Sequence, residues 1–250
     1  MEESADRSGG REFFGRLNLL VGEKAAAAYS ALKVTVVGVG GVGGWCAEAL
    51  ARSGVGRITL VDGDRVAASN INRQLVATSK SIGQPKVDVL AGRLRDINPS
   101  AAITPLFMRY TPETADSFRL EDVDWVVDAI DSVPDKAHLV NAVTRMERPR
   151  LVSSMGAASR TDPTRVIASD FGKVTGDGLA RALRQRFRKS GEWPAKKFTA
   201  VWSSEQRRPN LGRPDPAEPR ANGTLMPVTA SFGLVLASVI LNATLKENMV

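Results

Sequence analysis

The sequence predicts an α/β protein with a doubly wound, mostly parallel, Rossmann-like sheet and helices on both faces. Three observations carry that reading. Short β-branched or apolar runs alternate with runs of helical spacing over most of the chain. The first such pair is joined by Gly38-Val39-Gly40-Gly41-Val42-Gly43, a G-x-G-x-x-G turn. Trp125-Val126-Val127 is continuously apolar, as in a strand buried on both faces. The length, 250 residues with 43% hydrophobic and 24% charged, suits one domain with a sizeable core.

Taken in order, Phe13 to Tyr29 spaces Phe13, Leu17, Leu20 and Val21 as a helical arm, within an N-terminal stretch 1–31. Leu32 to Val37 reads as the first strand and Trp45 to Arg52 as the helix after the glycine turn, closed by Ser53-Gly54. Arg57 to Val61 is a second strand, Pro85 to Ile97 a helix, Ala102 to Phe107 a third strand, and Thr111-Pro112 opens a further helix. Then follow the Trp125 strand, a helix from Pro134 to Met146, strands from Leu151 and near Arg165 to Ile167, and a basic helix from Leu179 to Arg188. The segment 32–170 is thus the nucleotide-binding core, and 171–226 a basic helix plus a proline-rich mobile insertion from Gln206 to Asn222. The uncharged run before Lys246 makes 227–250 an apolar helix. Pro227, Ser231, Gly233, Ser238 and Asn242 interrupt it, which favours burial in a core or dimer interface over a membrane span and leaves room for weak membrane contact.

Composition removes several classes of chemistry. Cys46 is the only cysteine, so there is no internal disulfide framework and no multi-cysteine zinc site. One turn into a helix, it reads as packing rather than a nucleophile. His138 is the only histidine, and a Ser-His-Asp triad or a two-histidine metal site would have to be built on it. The start Met1-Glu2-Glu3-Ser4 is acidic and has no apolar signal region, so the expected location is cytoplasmic.

The glycine turn lets the backbone approach a phosphate at a helix N-terminus, and Asp62, at the end of the second strand about twenty residues on, can accept from ribose hydroxyls. This much also suits a nicotinamide enzyme or a non-catalytic nucleotide sensor. Further along, Asn70-Ile71-Asn72-Arg73-Gln74 and Gly83-Gln84-Pro85-Lys86 bring two cations to the same face, as clamping a triphosphate requires, and Asp128-Ala129-Ile130-Asp131 adds carboxylates suited to Mg²⁺.

Together, Gly38-x-Gly40-Gly41-x-Gly43, Asp62, Asn70-x-Asn72-Arg73-Gln74, Gly83-x-Pro85-Lys86 and Asp128-x-x-Asp131 resemble the ubiquitin-activating-type adenylating enzymes, which include the molybdopterin and thiamine sulfur-carrier activators. Gly22-Glu23-Lys24-Ala25, Gly156-Ala157-Ala158, Asp162-Pro163-Thr164 and Thr229-Ala230-Ser231-Phe232-Gly233 make the chain most similar to their tRNA threonylcarbamoyladenosine dehydratase branch. The resemblance implies ATP and Mg²⁺, with the carboxylate of a tRNA-borne threonylcarbamoyl group activated as an acyl-adenylate and closed into a ring. By matching position, Asp62 would hold the ribose, Gly38, Gly40, Gly41, Gly43 and Asn70 the nucleotide, Arg73 and Lys86 the phosphates, and Asp131 the Mg²⁺. Arg16 would reach into the partner's site, which implies a homodimer. Some relatives carry a cysteine in the C-terminal half that this chain lacks. The alternative is adenylation of the C-terminus of a sulfur-carrier or ubiquitin-like protein.

The net charge of +7, with a pI near 9.8, admits a polyanionic partner. From Arg181 to Arg213 there are ten Lys or Arg against Glu192 and Glu205, interleaved with Phe187, Trp193, Phe198 and Trp202. That composition suits phosphate contacts and base stacking and equally suits a solvated basic helix with its aromatics in the core; the resemblance favours tRNA there, and the rest of the chain is nearly neutral.

Overall fold

The computed structural model describes residues 13–213 and 221–248. Seven strands form one sheet: β1 (Lys33–Val37), β2 (Arg57–Val61), β3 (Ala102–Leu106), β4 (Trp125–Asp128), β5 (Arg150–Ser154), β6 (Val166–Asp170) and β7 (Thr199–Ser203). Their spatial order is β3-β2-β1-β4-β5-β7-β6, parallel except for the antiparallel β6–β7 pair. The helices are α1 (Gly15–Ala31), α2 (Gly43–Arg52), α3 (Lys86–Ile97), α4 (Val133–Arg145), α5 (Gly178–Ser190) and α6 (Met226–Asn248).

Helices cover both faces because each presents one apolar stripe. On α3, Val87, Leu90, Ala91 and Leu94 recur at helical spacing and are buried with the α2 and α6 side chains against one face of the sheet. Leu139, Val140 and Val143 of α4 and Ala180, Leu183 and Phe187 of α5 fill the other face. The doubly wound reading therefore stands, and the apolar C-terminal helix is explained by burial. Val228, Phe232, Leu236 and Ile240 of α6 lie in the core, and a Cβ on Gly233 would sit 2.8 Å from Trp45 Cβ, so α6 crosses α2 almost backbone to backbone. The helix is long and apolar enough to cross a membrane, yet half of its most apolar stretch is buried inside the protein.

Four expectations need correction. The stretch after Thr111 forms two 3₁₀ turns, Ala115–Phe118 and Leu120–Asp122, rather than an α-helix. Thr114 Oγ1 accepts from the Thr111 N–H and donates to the Arg109 carbonyl, and Arg119 sits in the left-handed region at φ 44°, so local side-chain bonds and one backbone reversal displace the helix. The arm is helical but broken at Gly22, φ 80°. The segment 171–226 is not separate from the core, because it supplies β7 to the interior of the sheet. Finally, the loop from Gln206 is anchored where it is described. Asn210 Nδ2 donates to the Ala221 carbonyl and Asn210 Oδ1 accepts from the Gly223 N–H, while residues 214–220 lie outside the described residues. Of the N-terminal stretch, residues 1–12 also lie outside them, as do 249–250 at the C-terminus.

Candidate active site

The register of the parallel strands decides what shares their carboxyl edge. Val37 pairs with Val61 on one side and with Asp128 on the other, so the glycine turn, Asp62 and segment 129–132 leave the sheet side by side. There the strand order reverses between β1 and β4, the place where doubly wound sheets hold ligands. A cleft of about 750 Å³ opens at this point.

The turn itself demands glycine at two positions. Gly38 has φ 88°, and a Cβ there would lie 2.7 Å from the Ala129 carbonyl oxygen. A Cβ on Gly43 would strike the Gly38 carbonyl oxygen, so the start of α2 closes directly onto the turn. Asp62 is fixed beside it, Oδ2 accepting from the Val39 N–H at 2.9 Å and Oδ1 from the Asp64 N–H at 2.8 Å. A carboxylate has about four acceptor positions, so Asp62 keeps capacity for a ribose hydroxyl.

Lys86 reaches the same cleft because its backbone N–H donates to the Asp64 carbonyl, bringing the start of α3 against the chain leaving β2. Its Nζ lies 3.0 Å from Asp64 Oδ2 with only 7% of the side chain exposed, and Arg109 Nη2 lies 3.0 Å from Asp64 Oδ1. Burial opposes the charge on Asp64, but the bonds and attraction from Lys86 and Arg109 outweigh it and hold the carboxyl below the usual range. Arg73 lies over Gly41 and donates to the Ser69 carbonyl and Asn72 Oδ1, both neutral acceptors.

Beneath segment 129–132 is a fully buried ion pair. Lys136 Nζ is 2.8 Å from Asp128 Oδ2, and neither side chain has any exposure. Asp128 also accepts from Ser153 Oγ and the Ile130 N–H, while Lys136 Nζ donates to the Ile130 carbonyl. The segment carrying Asp131 therefore rests on a satisfied polar network.

Gly38, Gly40, Gly41, Asp62, Arg73, Lys86 and Asp131 all line the cleft. Gly43 and Asn70 do not. Gly43 serves the close turn–helix contact, and Asn70 Oδ1 accepts from the Ala67 N–H, securing the 3₁₀ turn that leads to Arg73. Arg16 is exposed on α1, outside the cleft wall of its own chain. Sequence reasoning missed Asp64, Arg109, Lys136, Arg160, Asp177 and Arg207. Asp64, two residues after Asp62, and Lys136, on the helix that follows Asp128, lie close in the chain to expected positions; Arg109, Arg160, Asp177 and Arg207 enter through long-range packing.

Two features fit a nucleotide. The turn has no room for a side chain at Gly38 or Gly43, and Gln74, nine-tenths buried in the cleft wall, has a side-chain oxygen without a hydrogen-bond partner. For Mg²⁺, Asp131 and Asp135 both line the cleft and neither is in a salt bridge among the described residues, which matches an ion held by one or two carboxylates plus phosphate oxygens.

The sequence pattern of the ThiF family matches residues 15–250. The chain belongs to the ThiF family. It is 46% identical over 178 residues to the tRNA threonylcarbamoyladenosine dehydratase of Bacillus subtilis, covering 71% of this chain and 70% of that one. It is 33% identical over 245 residues to the Haemophilus influenzae protein of the same name, covering 94% of each. The E. coli tRNA N6-threonylcarbamoyladenosine dehydratase TcdA, solved with AMP, superposes with a TM-score of 0.85 at 36% identity, over 95% of this chain and 96% of that one. TcdA has also been solved with ATP.

In this ThiF-family chain Cys46 is fully buried, and burial pushes its thiol far up, so it is packing and not a nucleophile. His138 Nδ1 bonds the Tyr110 hydroxyl at 3.0 Å. The basic segment is only partly a free surface. Phe187, Phe198 and Trp202 are core residues, so Trp193 alone of the four aromatics is widely exposed, at 49%. On α5 the alternation of Phe187 with cations is the in–out pattern of a helix face, whereas Trp202 lies in β7, Thr199–Ser203, which carries no cation and is buried over most of its length. Arg184 donates to the Phe171 and Val174 carbonyls, and Lys196 donates to the Met146 carbonyl at the end of α4. Arg181, Arg186, Arg188, Lys189 and Lys197 remain exposed.

Proposed function

We propose that this protein catalyses the ATP-dependent dehydration of threonylcarbamoyladenosine in tRNA. The observation that carries the reading is coverage. Relatives named for this activity match 71% and 94% of the chain and 70% and 94% of their own length, whereas an adenylyltransferase and sulfurtransferase of Aspergillus clavatus matches 58% of it and only 29% of its own length.

The chemistry follows from the cleft. A carboxylate oxygen of the threonylcarbamoyl group attacks the α-phosphorus of ATP, the bond from that phosphorus to the bridging oxygen breaks, and pyrophosphate leaves. A nitrogen of the same side chain then attacks the acyl carbon, loses its proton and expels AMP, closing a ring with net loss of water. No enzyme nucleophile is needed, in keeping with the buried Cys46. Asp62 accepts from the ribose hydroxyls, and Arg73 and Lys86 neutralise the phosphates as charge moves onto the leaving pyrophosphate. Asp131, with Asp135 also in the wall, would hold Mg²⁺, which when bound supplies charge neutralisation at the phosphates. Exposed on the arm, Arg16 is available to a second copy's cleft, so the working unit in this reading is a homodimer. The free cations of α5 and Lys197 meet tRNA phosphates.

Exchange of labelled pyrophosphate into ATP tests the assignment. Stimulation by tRNA bearing threonylcarbamoyladenosine, and not by a small protein ending in Gly-Gly, is expected. The reverse pattern makes the protein a carrier activator.

A further inference from the structure

The cleft continues past the nucleotide wall to a second wall built from segment 154–160, Asp177 to Leu179, Arg207 and Asn222. This wall is internally braced. Arg160, with no side-chain exposure, donates to Asp177 Oδ2 at 3.0 Å and to the Glu205 carbonyl, and also to the Gly156 carbonyl. Glu205 in turn accepts from the Thr161 and Asp162 N–H groups and from Arg208 Nε. Ser159 is held at φ 63°, a left-handed conformation that costs a non-glycine residue on the order of 1 kcal/mol or more, fixed by backbone bonds to Gly223 and Arg208.

Five cations line the cleft. Lys86 and Arg109 share Asp64, and Arg160 has Asp177. Among the described residues Arg73 and Arg207 alone of the five meet only neutral acceptors. Arg207, exposed to solvent, donates from Nη2 to Asn222 Oδ1 at 2.7 Å and to Ser159 Oγ at 3.3 Å, which orients the guanidinium and leaves it without a carboxylate partner among the described residues. A guanidinium held in place without a carboxylate is suited to receive one.

We propose that Arg207 binds the acceptor's carboxylate, holding the oxygen that does not attack phosphorus. This inference rests on the function proposed above. In the first step the other oxygen forms the bond to the α-phosphorus as the pyrophosphate bond breaks. The held oxygen becomes the acyl carbonyl, and it gathers negative charge when the ring nitrogen adds to the acyl carbon, so Arg207 faces developing charge in both steps. The phosphodiester of the RNA is the other anion a guanidinium could meet, and the test separates the two.

Binding of tRNA with and without the threonylcarbamoyl group is measured for the wild type, Arg207→Lys and Arg207→Ala, each with a melting curve to confirm folding and with ATP affinity in parallel. Both variants are expected to lose about tenfold or more of affinity for the modified tRNA only, with ATP affinity unchanged. An equal loss on both tRNAs assigns Arg207 to the RNA backbone and overturns the proposal, as does wild-type affinity and turnover in Arg207→Ala. If the wild type binds ATP yet never dehydrates the modified tRNA, the function itself fails, a different result from either.

Discussion

The two walls of the cleft are each underpinned by a fully buried ion pair, Lys136–Asp128 under the nucleotide wall and Arg160–Asp177 under the other, yet they are assembled in different ways. Lys136 and Asp128 lie within one strand–turn–helix unit, and the glycine turn, Asp62 and Asp131 are likewise local products of β1, β2 and β4. The second wall joins residues from separate elements: Arg160 to Glu205, Asn210 to Gly223, Arg207 to Asn222. Local construction leaves a motif in the sequence, and long-range construction does not.

The largest expected effect removes the first brace. Lys136→Met leaves Asp128 buried without its cation and should cost about 3–5 kcal/mol in urea denaturation, whereas Lys136→Met with Asp128→Leu should recover much of that. A single variant within 1 kcal/mol of wild type would show that the pair does not hold the wall.

Next comes the nucleotide itself. Lys86→Ala should weaken ATP binding by about tenfold or more in titration calorimetry, because the nearly buried ammonium proposed to meet the phosphates is lost. Equal affinities would place the triphosphate elsewhere in the cleft.

A smaller, pH-dependent effect probes the second wall. Burial opposes the charge of Glu205, but the backbone N–H groups of Asp162 and Thr161, the Thr161 hydroxyl and Arg208 outweigh it and lower its pKa to about 2. Because the folded value lies below the unfolded one of about 4.3, the carboxylate stabilises the fold above that pH, and its contribution is lost as pH falls through about 2. Melting curves of Glu205→Gln should therefore be flatter across this window than those of wild type. Parallel curves would mean that the brace does not depend on ionised Glu205.

The smallest effect concerns the outer surface. Arg186→Ala with Lys189→Ala should reduce the salt dependence of tRNA binding by a slope of about one per lost phosphate contact and leave ATP affinity alone. An unchanged slope would move the RNA off α5.

What was legible follows the same division. The sheet class, β1, β2, α2 and α3 were readable because apolar periodicity and the glycine turn act within a few residues. That Gly38, Asp62, Arg73, Lys86 and Asp131 share one cleft was readable for the same reason. β7 was hidden because Phe198 and Trp202 stand among lysines and arginines, and only its pairing with β5 and β6 shows them to be core. The helix expected after Thr111 failed because threonine hydroxyls captured the backbone. Arg160, Asp177 and Arg207 have no spacing that marks them; they converge only once β7 is placed.

In the proposed reaction one cleft joins ATP to a carboxylate on tRNA. Incubating the purified protein with ATP, Mg²⁺ and tRNA bearing threonylcarbamoyladenosine, and weighing the released nucleoside by mass spectrometry, tests it most directly. Loss of the mass of one water, matched by AMP and pyrophosphate, is expected. An unchanged nucleoside mass with ATP demonstrably bound would contradict it.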